Sequence, residues 1–388
     1  MVMQCSPSVR HGGEAVKVNI DSQCGRARAT SIHWRNHTVQ TPMFMPVGTV
    51  GTVKGMLTRD LREAGAQVIL GNTYHLYLRP GLEVLQHFGG LHRLMDWHGP
   101  ILTDSGGYQF FSLRENTKTT DEGVHFRSHI DGSRHLFTPE RVIEIQNVIG
   151  SDIQMVLDEC PALPATPQVL ETAMRRTTSW ARRSLAASRE SDAAVFAIVQ
   201  GGTDISRRMS HMEELAGMEV SGRSFDGLAL GGLAVGEAPQ EMYEVLEAVA
   251  HQLPAERPRY LMGVGRPQDL LMAVASGVDM FDCVLPTRNA RNGQLFTSTG
   301  RLNLRNASHR MSDSPPDAAC GCMVCRSYSR GYLHHLFRAG EMLGPQLATI
   351  HNVSYYLALM RGAREAIMAG RYPEFHALQA AGWRGENS

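Results

Sequence analysis

No stretch of the sequence approaches the ~18 uncharged apolar residues that a membrane-crossing helix needs. The opening MVMQCSPSVRHGGE lacks the apolar core of a secretory signal. Neither a repeat at solenoid period nor a low-complexity segment is present. Aromatics are sparse at 7%, which argues against the stacking platforms of a sugar-binding barrel. Charge of one sign is not in excess: 38 Lys+Arg meet 38 Asp+Glu, which excludes a globally basic nucleic-acid binder. What remains is the expectation of a cytoplasmic globular protein, 43% hydrophobic and 20% charged.

The balance of charge hides a local bias. Between Arg257 and Arg338 lie eleven Arg, no Lys and five Asp, an excess of +6 that the rest of the chain offsets. Such a basic third suits a phosphate-binding face, the ordinary alternative being a solvated surface of mixed charge. The seven Cys are an odd number, and three of them fall within six residues. In a chain expected to be cytoplasmic, crowding of that kind points to metal or catalysis before disulfides.

Short apolar runs ending in a polar residue or Gly recur at 43–47, 68–71, 101–103, 153–157, 195–199, 227–230, 260–262 and 278–281. Helix signals separate them. Thr138-Pro139-Glu140 opens a helical spacing of Val142, Ile145, Val148 and Ile149 that stops at Gly150, and Pro239 and Pro267 open others. Eight apolar strands alternating with helices predict an α/β protein, an irregular (β/α)8 TIM barrel, with an open doubly wound sheet as the second choice. Residues 18–40 alternate like an antiparallel cover ahead of the barrel, and 124–137 read as a hairpin with a tight Asp131-Gly132 turn. The stretch from about 286 to 356 is expected to be an inserted subdomain within a single domain spanning 1–388.

Active sites of such barrels lie at the C-terminal ends of the strands. Those ends read Asn72, Asp104 to Tyr108, Asp158-Glu159, Gln200 to Gly202, Gly231-Gly232, Gly263 and Asp282. A single Asp there is most often a helix cap. Three Asp and a Gln at equivalent positions shift the balance towards chemistry. Asp104 and Asp282 could supply the carboxylate pair of glycosyl transfer, one attacking the anomeric carbon and one handling protons. Asp158, Gln200 and the Gly231-Gly232 backbone offer the acceptors and donors that read a purine edge. Tyr108 and Met262 could flank a flat ring, although a strand Met is more often core packing. Cys320, Cys322 and Cys325, followed after a gap of 25 residues by His351, offer four soft ligands for a structural zinc with no open position. His334 and His335 are rival fourth ligands, while Cys5, Cys24, Cys160 and Cys283 are too scattered to join.

Long motifs then give a resemblance. Thr103 to Gln109 (TDSGGYQ), Gly71 to Leu76 (GNTYHL), Gly231 to Glu237 (GGLAVGE), Tyr260 to Gly265 (YLMGVG) and Met280 to Arg288 (MFDCVLPTR) together resemble the bacterial tRNA-guanine transglycosylases, or queuine tRNA-ribosyltransferases, over about residues 15–380. The resemblance implies an irregular barrel with one structural Zn2+ that exchanges guanine at wobble position 34 of GUN-anticodon tRNAs (Asp, Asn, His, Tyr). The incoming base would be 7-aminomethyl-7-deazaguanine, with queuine as the alternative. It further implies Asp282 as the nucleophile, Asp104 as general acid/base, and Asp158, Gln200, Gly231, Gly232 and Leu233 around the base between Tyr108 and Met262. Arg266, Arg288 and Arg291 would meet the anticodon loop, and Cys320, Cys322, Cys325 and His351 the zinc. A homodimer through the zinc region, where Tyr328, Tyr332 and His335 lie, is also implied. The sequence departs from the family pattern at residues 161–164 and at Arg266, where Lys is frequent; Cys160 and Val235 are similar to the bacterial pattern and favour the aminomethyl base.

Two rivals stand beside this. A barrel metallohydrolase would show His-x-His in the first strand, and residues 43–47 have none. A zinc-containing RNA-binding protein on an inactive barrel would not need both Asp104 and Asp282.

Overall fold

A computed structural model describes residues 16–112, 117–189 and 191–384; Cys5 and the opening residues lie outside them. Strands β1 (Lys17–Cys24), β2 (Ala27–Trp34) and β3 (His37–Gln40) form an antiparallel sheet in that order. The barrel begins with β4 (Met43–Met45), β5 (Ile69–Gly71) and β6 (Ile101–Thr103). A second antiparallel sheet, β7 (Thr117–Thr119), β8 (Val124–Arg127) and β9 (Arg134–Phe137), interrupts it. β10 (Ile153–Met155) and β11 (Ala194–Val199) resume the barrel, and a two-residue pair, β12 (Glu219–Val220) and β13 (Arg223–Ser224), interrupts again. β14 (Gly227–Leu230), β15 (Arg259–Leu261) and β16 (Met280–Asp282) complete the eight.

The eight strands are ordered β4-β16-β15-β14-β11-β10-β6-β5, every neighbouring pair parallel. A parallel bridge between Val47 and Leu70 closes the ring, with Gly48 N–H donating to the Leu70 carbonyl (2.6 Å) and Leu70 N–H to that of Pro46 (3.0 Å). All eight expected runs are strands, 101–103 and 227–230 with the expected bounds and the others with ends displaced by one or two residues, as strand ends depend on which residues of the run are hydrogen-bonded. Most of their residues are buried whichever way they point, as strands need when helices cover the outside and side chains fill the inside.

Local chemistry sets the helices. Thr138 caps the helix Pro139–Ile149 by accepting from Arg141 N–H (3.2 Å), and Gly150 ends it at φ +80°, a conformation that costs glycine least. The helices Pro239–Val249 and Pro267–Ala275 start at their prolines. The N-terminal cover is pinned to the barrel by a bidentate pair: Arg28 of β2 donates to both Asp279 oxygens (2.9 and 2.5 Å), and all atoms are buried. Asp279 also accepts from Arg259 N–H, and Arg28 reaches the carbonyls of Ala255 and Arg257, so neither charge is left bare.

After β16 come the helix Leu285–Arg291, the hairpin β17 (Gln294–Thr297) and β18 (Gly300–Asn303), and the helices Met323–Ser327 and Arg330–Ala339. The 26-residue helix Leu343–Met368 then returns to pack on β4, β1, β2 and the helix Thr58–Ala64. It therefore runs straight through Tyr356. The Asp131-Gly132 turn differs from expectation in one respect. Ser128 N–H donates to the Ser133 carbonyl (2.8 Å), leaving a four-residue loop in place of a two-residue turn, because the Asp131 carboxylate is taken by the Ser133 hydroxyl and N–H.

Candidate active site

The C-terminal ends of the strands surround a cavity of about 310 Å³. Asp104, one residue past β6, is held from three directions. Asn72 Nδ2 (2.6 Å) and Gln109 Nε2 (2.9 Å) donate to one of its oxygens, and Thr73 N–H (2.8 Å) to the other. Burial nevertheless pushes its carboxyl up to about 6, the donors opposing and Asp282 adding repulsion. Asp282, the last residue of β16, accepts from Tyr260 OH (2.6 Å) and Gly263 N–H (2.8 Å) on a single oxygen, Oδ1. Its carboxyl is also pushed up by burial, and the Tyr260 hydroxyl is pushed well above a free phenol by burial first and by the neighbouring Asp282 charge second. Tyr260 therefore stays a donor.

The far wall is built on Asp158. Gln200 Nε2 (2.7 Å) and Ser105 Oγ (3.2 Å) donate to its two oxygens, and burial pushes its carboxyl up to about 6. The glycines here have steric reasons. A Cβ at Gly107 would run into the Asp158 carboxylate, and one at Gly232, already at φ +62°, into Gln200 Oε1. Gln200 Oε1 is buried without a hydrogen-bond partner. The loop beyond is closed by Glu237, whose carboxylate accepts from Ala234 and Val235 N–H.

A second centre lies in the segment after β16. The ligand atoms of Cys320, Cys322, Cys325 and His351 all lie within 4.8 Å of one another. His351, buried on the helix Leu343–Met368, has Nε2 at 2.9 Å from the Phe296 carbonyl, a contact only an N–H can make. That fixes the tautomer and turns a bare Nδ1 towards Cys325 Sγ (3.2 Å) and Cys322 Sγ (3.6 Å). Donation from its two neighbours pushes the Cys322 thiol down while Cys325 is pushed up. Three crowded sulfurs facing a bare imidazole nitrogen are a donor set that fits a metal ion.

The family model described as queuine tRNA-ribosyltransferase matches residues 22–384. The chain belongs to the queuine tRNA-ribosyltransferase family. Among relatives carrying that name, one from Pseudomonas putida is 53% identical over 351 residues, 90% of this chain and 93% of that protein. One from Sphingopyxis alaskensis is 53% identical over 371 residues (94% and 98%), and one from Desulforapulum autotrophicum 51% over 366 (93% and 96%). Members of the queuine tRNA-ribosyltransferase family are pentosyltransferases, and this chain is one of them.

Of the residues the sequence singled out, Asp104, Tyr108, Asp158, Gly231, Gly232, Leu233, Met262, Asp282 and Arg288 line the one cavity. Gln200 stands immediately behind Asp158. Arg266 and Arg291 do not line it: Arg266 is exposed at the cap of the helix Pro267–Ala275, and Arg291 turns one Nη1 back to the Thr287 carbonyl (3.0 Å). His334 Nδ1 donates to the Leu304 carbonyl (2.8 Å) and His335 is exposed, so neither joins the four-ligand group. Reasoning from strand ends missed Tyr260, whose hydroxyl reaches Asp282 from a buried strand position that reads as core. It also missed Arg208. That guanidinium is fully buried and donates to the carbonyls of Val199, Gly202, Gly231 and Gly232, bracing both glycine pairs from below. Among the described residues no helix is long and apolar enough to cross a membrane.

Proposed function

We propose that the protein exchanges guanine 34 of GUN-anticodon tRNAs for 7-aminomethyl-7-deazaguanine in queuosine biosynthesis, through a covalent bond between Asp282 and ribose. The observation that carries this is the sharing of one base-sized cavity by two buried carboxylates, Asp104 and Asp282, and a hydrogen-bonding wall, Asp158 and Gly231 to Leu233. An ionised Asp158 accepts two N–H groups from a guanine edge, while backbone groups of the glycine loop meet its carbonyl. Tyr108 and Met262 cover the faces of the ring. Because Tyr260 and Gly263 occupy Oδ1 of Asp282, Oδ2 is the oxygen left to attack.

In the first half, Asp282 forms a C–O bond to ribose carbon 1′ as the bond from that carbon to guanine breaks. The electron pair leaves on the base nitrogen, which Asp104 protonates. In the second half the incoming base gives its proton to Asp104 and attacks carbon 1′, returning the Asp282 carboxylate. Two inversions at one carbon retain configuration, and neither half needs ATP or a redox cofactor. A carboxyl pushed up to about 6 suits a group that must both give and take that proton near neutrality.

Arg288, at the cavity, and Arg266 and Arg291 beside it are assigned to the anticodon-loop backbone. Cys160 and Val235 in the lining support the aminomethyl base over queuine, the alternative. Cys320, Cys322, Cys325 and His351 would hold one Zn2+ that stabilises the fold and takes no part in the chemistry. The chain 1–388 is assigned as a single catalytic unit with its metal-binding part at about 286–356, acting in the cytoplasm as a homodimer. Tyr328 and Tyr332, stacked at 5.5 Å between centroids, and the exposed His335 mark the contact.

The test is incorporation of labelled guanine into unmodified tRNA-Tyr with no added cofactor. Wild type exchanges label and Asp282→Ala does not. A wild type that binds the tRNA without exchanging label would instead favour an RNA-binding protein with an inactive barrel.

A further inference from the structure

The antiparallel sheet β7–β9 is not used by the mechanism above, and its two faces differ sharply. Val124, Phe126 and Phe137 point inward and are buried. Phe126 lies 5.2 Å from both the Tyr74 and Phe110 rings, His129 stacks on Tyr74 at 5.8 Å, and Tyr77 OH bonds His135 (3.0 Å). Tyr74 follows Thr73, and Phe110 follows Gln109, so the sheet is mounted on the same two segments that grip Asp104. Its loop reaches the mouth of the cavity: the His129 ring is 5.9 Å from His75, a lining residue.

The outward face carries Lys118, His125, Arg127 and Arg134, which line an open hollow. Lys118 pairs with His125 in register, and Arg127 stands directly opposite Arg134. Like charges facing each other across two strands destabilise a sheet. Among the described residues no carboxylate pairs with either arginine. Asp131 in the adjoining loop is taken by Ser133, Asp121 at the other end by Arg175 and Arg176, and none of Lys118, Arg127 and Arg134 has an ion-pair partner among the described residues. In the ring of strands, β6, which leads into this sheet, and β16, which leads to Arg288, are separated by β4 and β5 on one side and by four strands on the other. Basic groups therefore stand on two separate arcs of one mouth.

We propose that the exposed face of β7–β9 is a second RNA-backbone site, where Arg127 and Arg134 take phosphates of the tRNA strand flanking the base inserted in the cavity. This rests on the tRNA reading above. A loop whose base enters the barrel leaves the mouth on two sides, and a like-charged cross-strand pair is relieved when phosphates lie between the guanidinium groups. The site holds backbone and no particular base, so it adds affinity without altering which guanine is exchanged.

The experiment compares wild type with the double variant Arg127→Gln, Arg134→Gln. Binding of unmodified tRNA-Tyr is followed by fluorescence anisotropy over about 50–300 mM salt, and labelled-guanine exchange is measured at saturating tRNA. The expected result is a Kd raised about tenfold near 0.15 M salt and a log–log salt slope shallower by about 1.5, from two lost phosphate contacts. The exchange rate at saturating tRNA should stay at the wild-type value, and the melting midpoint should be equal or higher, since a repulsion has been removed. A folded double variant with unchanged Kd and slope overturns the proposal. Should the double variant melt early, Lys118→Gln, which leaves the arginines in place, is read in the same way with a slope change of about 0.7. A wild type that never exchanges label defeats the transglycosylase reading instead, while its tRNA binding and salt slope still decide this site.

Discussion

Asp158 is ionised where burial favours the neutral acid, and the cost is measurable. Its carboxyl is pushed from an ordinary value near 4 up to about 6, so the native state binds this proton more tightly than the unfolded chain does. Stability from that group is whole below about pH 4 and is lost as pH rises through about 6, at a cost of roughly 3 kcal/mol by pH 8. Asp158→Asn removes the charge, and Gln200 can turn its unpartnered Oε1 towards the new amide. The variant should melt several degrees above wild type at pH 8, show no such gain at pH 4, and exchange no guanine. A lower midpoint at pH 8 would mean that the donors Gln200 and Ser105 outweigh burial. Residues of this type stood out in sequence only as a group, because one Asp ending an apolar strand is most often a helix cap whereas three and a Gln at equivalent ends are not. Tyr260 and Arg208 were not: a strand Tyr reads as core and a helix Arg as solvated surface, and only packing shows their polar ends turned inward. Nor does the sequence tell that Arg288 lines the cavity while Arg266 and Arg291 lie outside its lining.

At the scale of elements, the barrel strands and the proline-started helices were readable because apolar runs and caps are local signals. β7 was not, since three residues of Thr-Lys-Thr carry no hydrophobic period and become a strand only by pairing with β8. The helix Leu343–Met368 is the element on which the region after β16 depends. It carries His351 for the metal group, and Asn352, which accepts from Phe296 N–H and donates to the carbonyls of Pro286 and Gln294. Tyr356, one turn on, donates to the Gly265 carbonyl, two residues past Gly263. Purified protein should therefore hold one zinc per chain by atomic emission. Chelation or His351→Ala should lower the melting midpoint by ~5–10 °C and weaken tRNA binding before base exchange chemistry is lost. Full metal content in His351→Ala would assign the fourth ligand elsewhere.

For the whole molecule, the decisive contacts join distant parts of the chain. β4 pairs with β16, Arg28 with Asp279, and Arg364 reaches back to Asp21 (2.6 Å) and to the carbonyls of Thr30 and Thr41. A fragment of residues 16–278 lacks Asp279 and β16, leaving β4 and β15 as open parallel edges and Arg28 without its carboxylate. It should aggregate or bind hydrophobic dye where the full chain stays monodisperse by size-exclusion chromatography; a soluble, cooperatively melting fragment would show that closure is dispensable.

The meeting of the first and eighth strands also sets a timetable. On the ribosome, at roughly 5–20 residues per second, β4 emerges ~10–50 s before β16 exists to receive it. During that interval seven apolar strands are in being with no ring to hide them, and the Arg28 cation waits for a carboxylate not yet made. Asp282, the proposed nucleophile, is thus among the last pieces of the barrel to be synthesised, so a chain released early fails as a fold and loses that carboxylate together, and shelter by chaperones during synthesis bears directly on how much active protein a cell obtains.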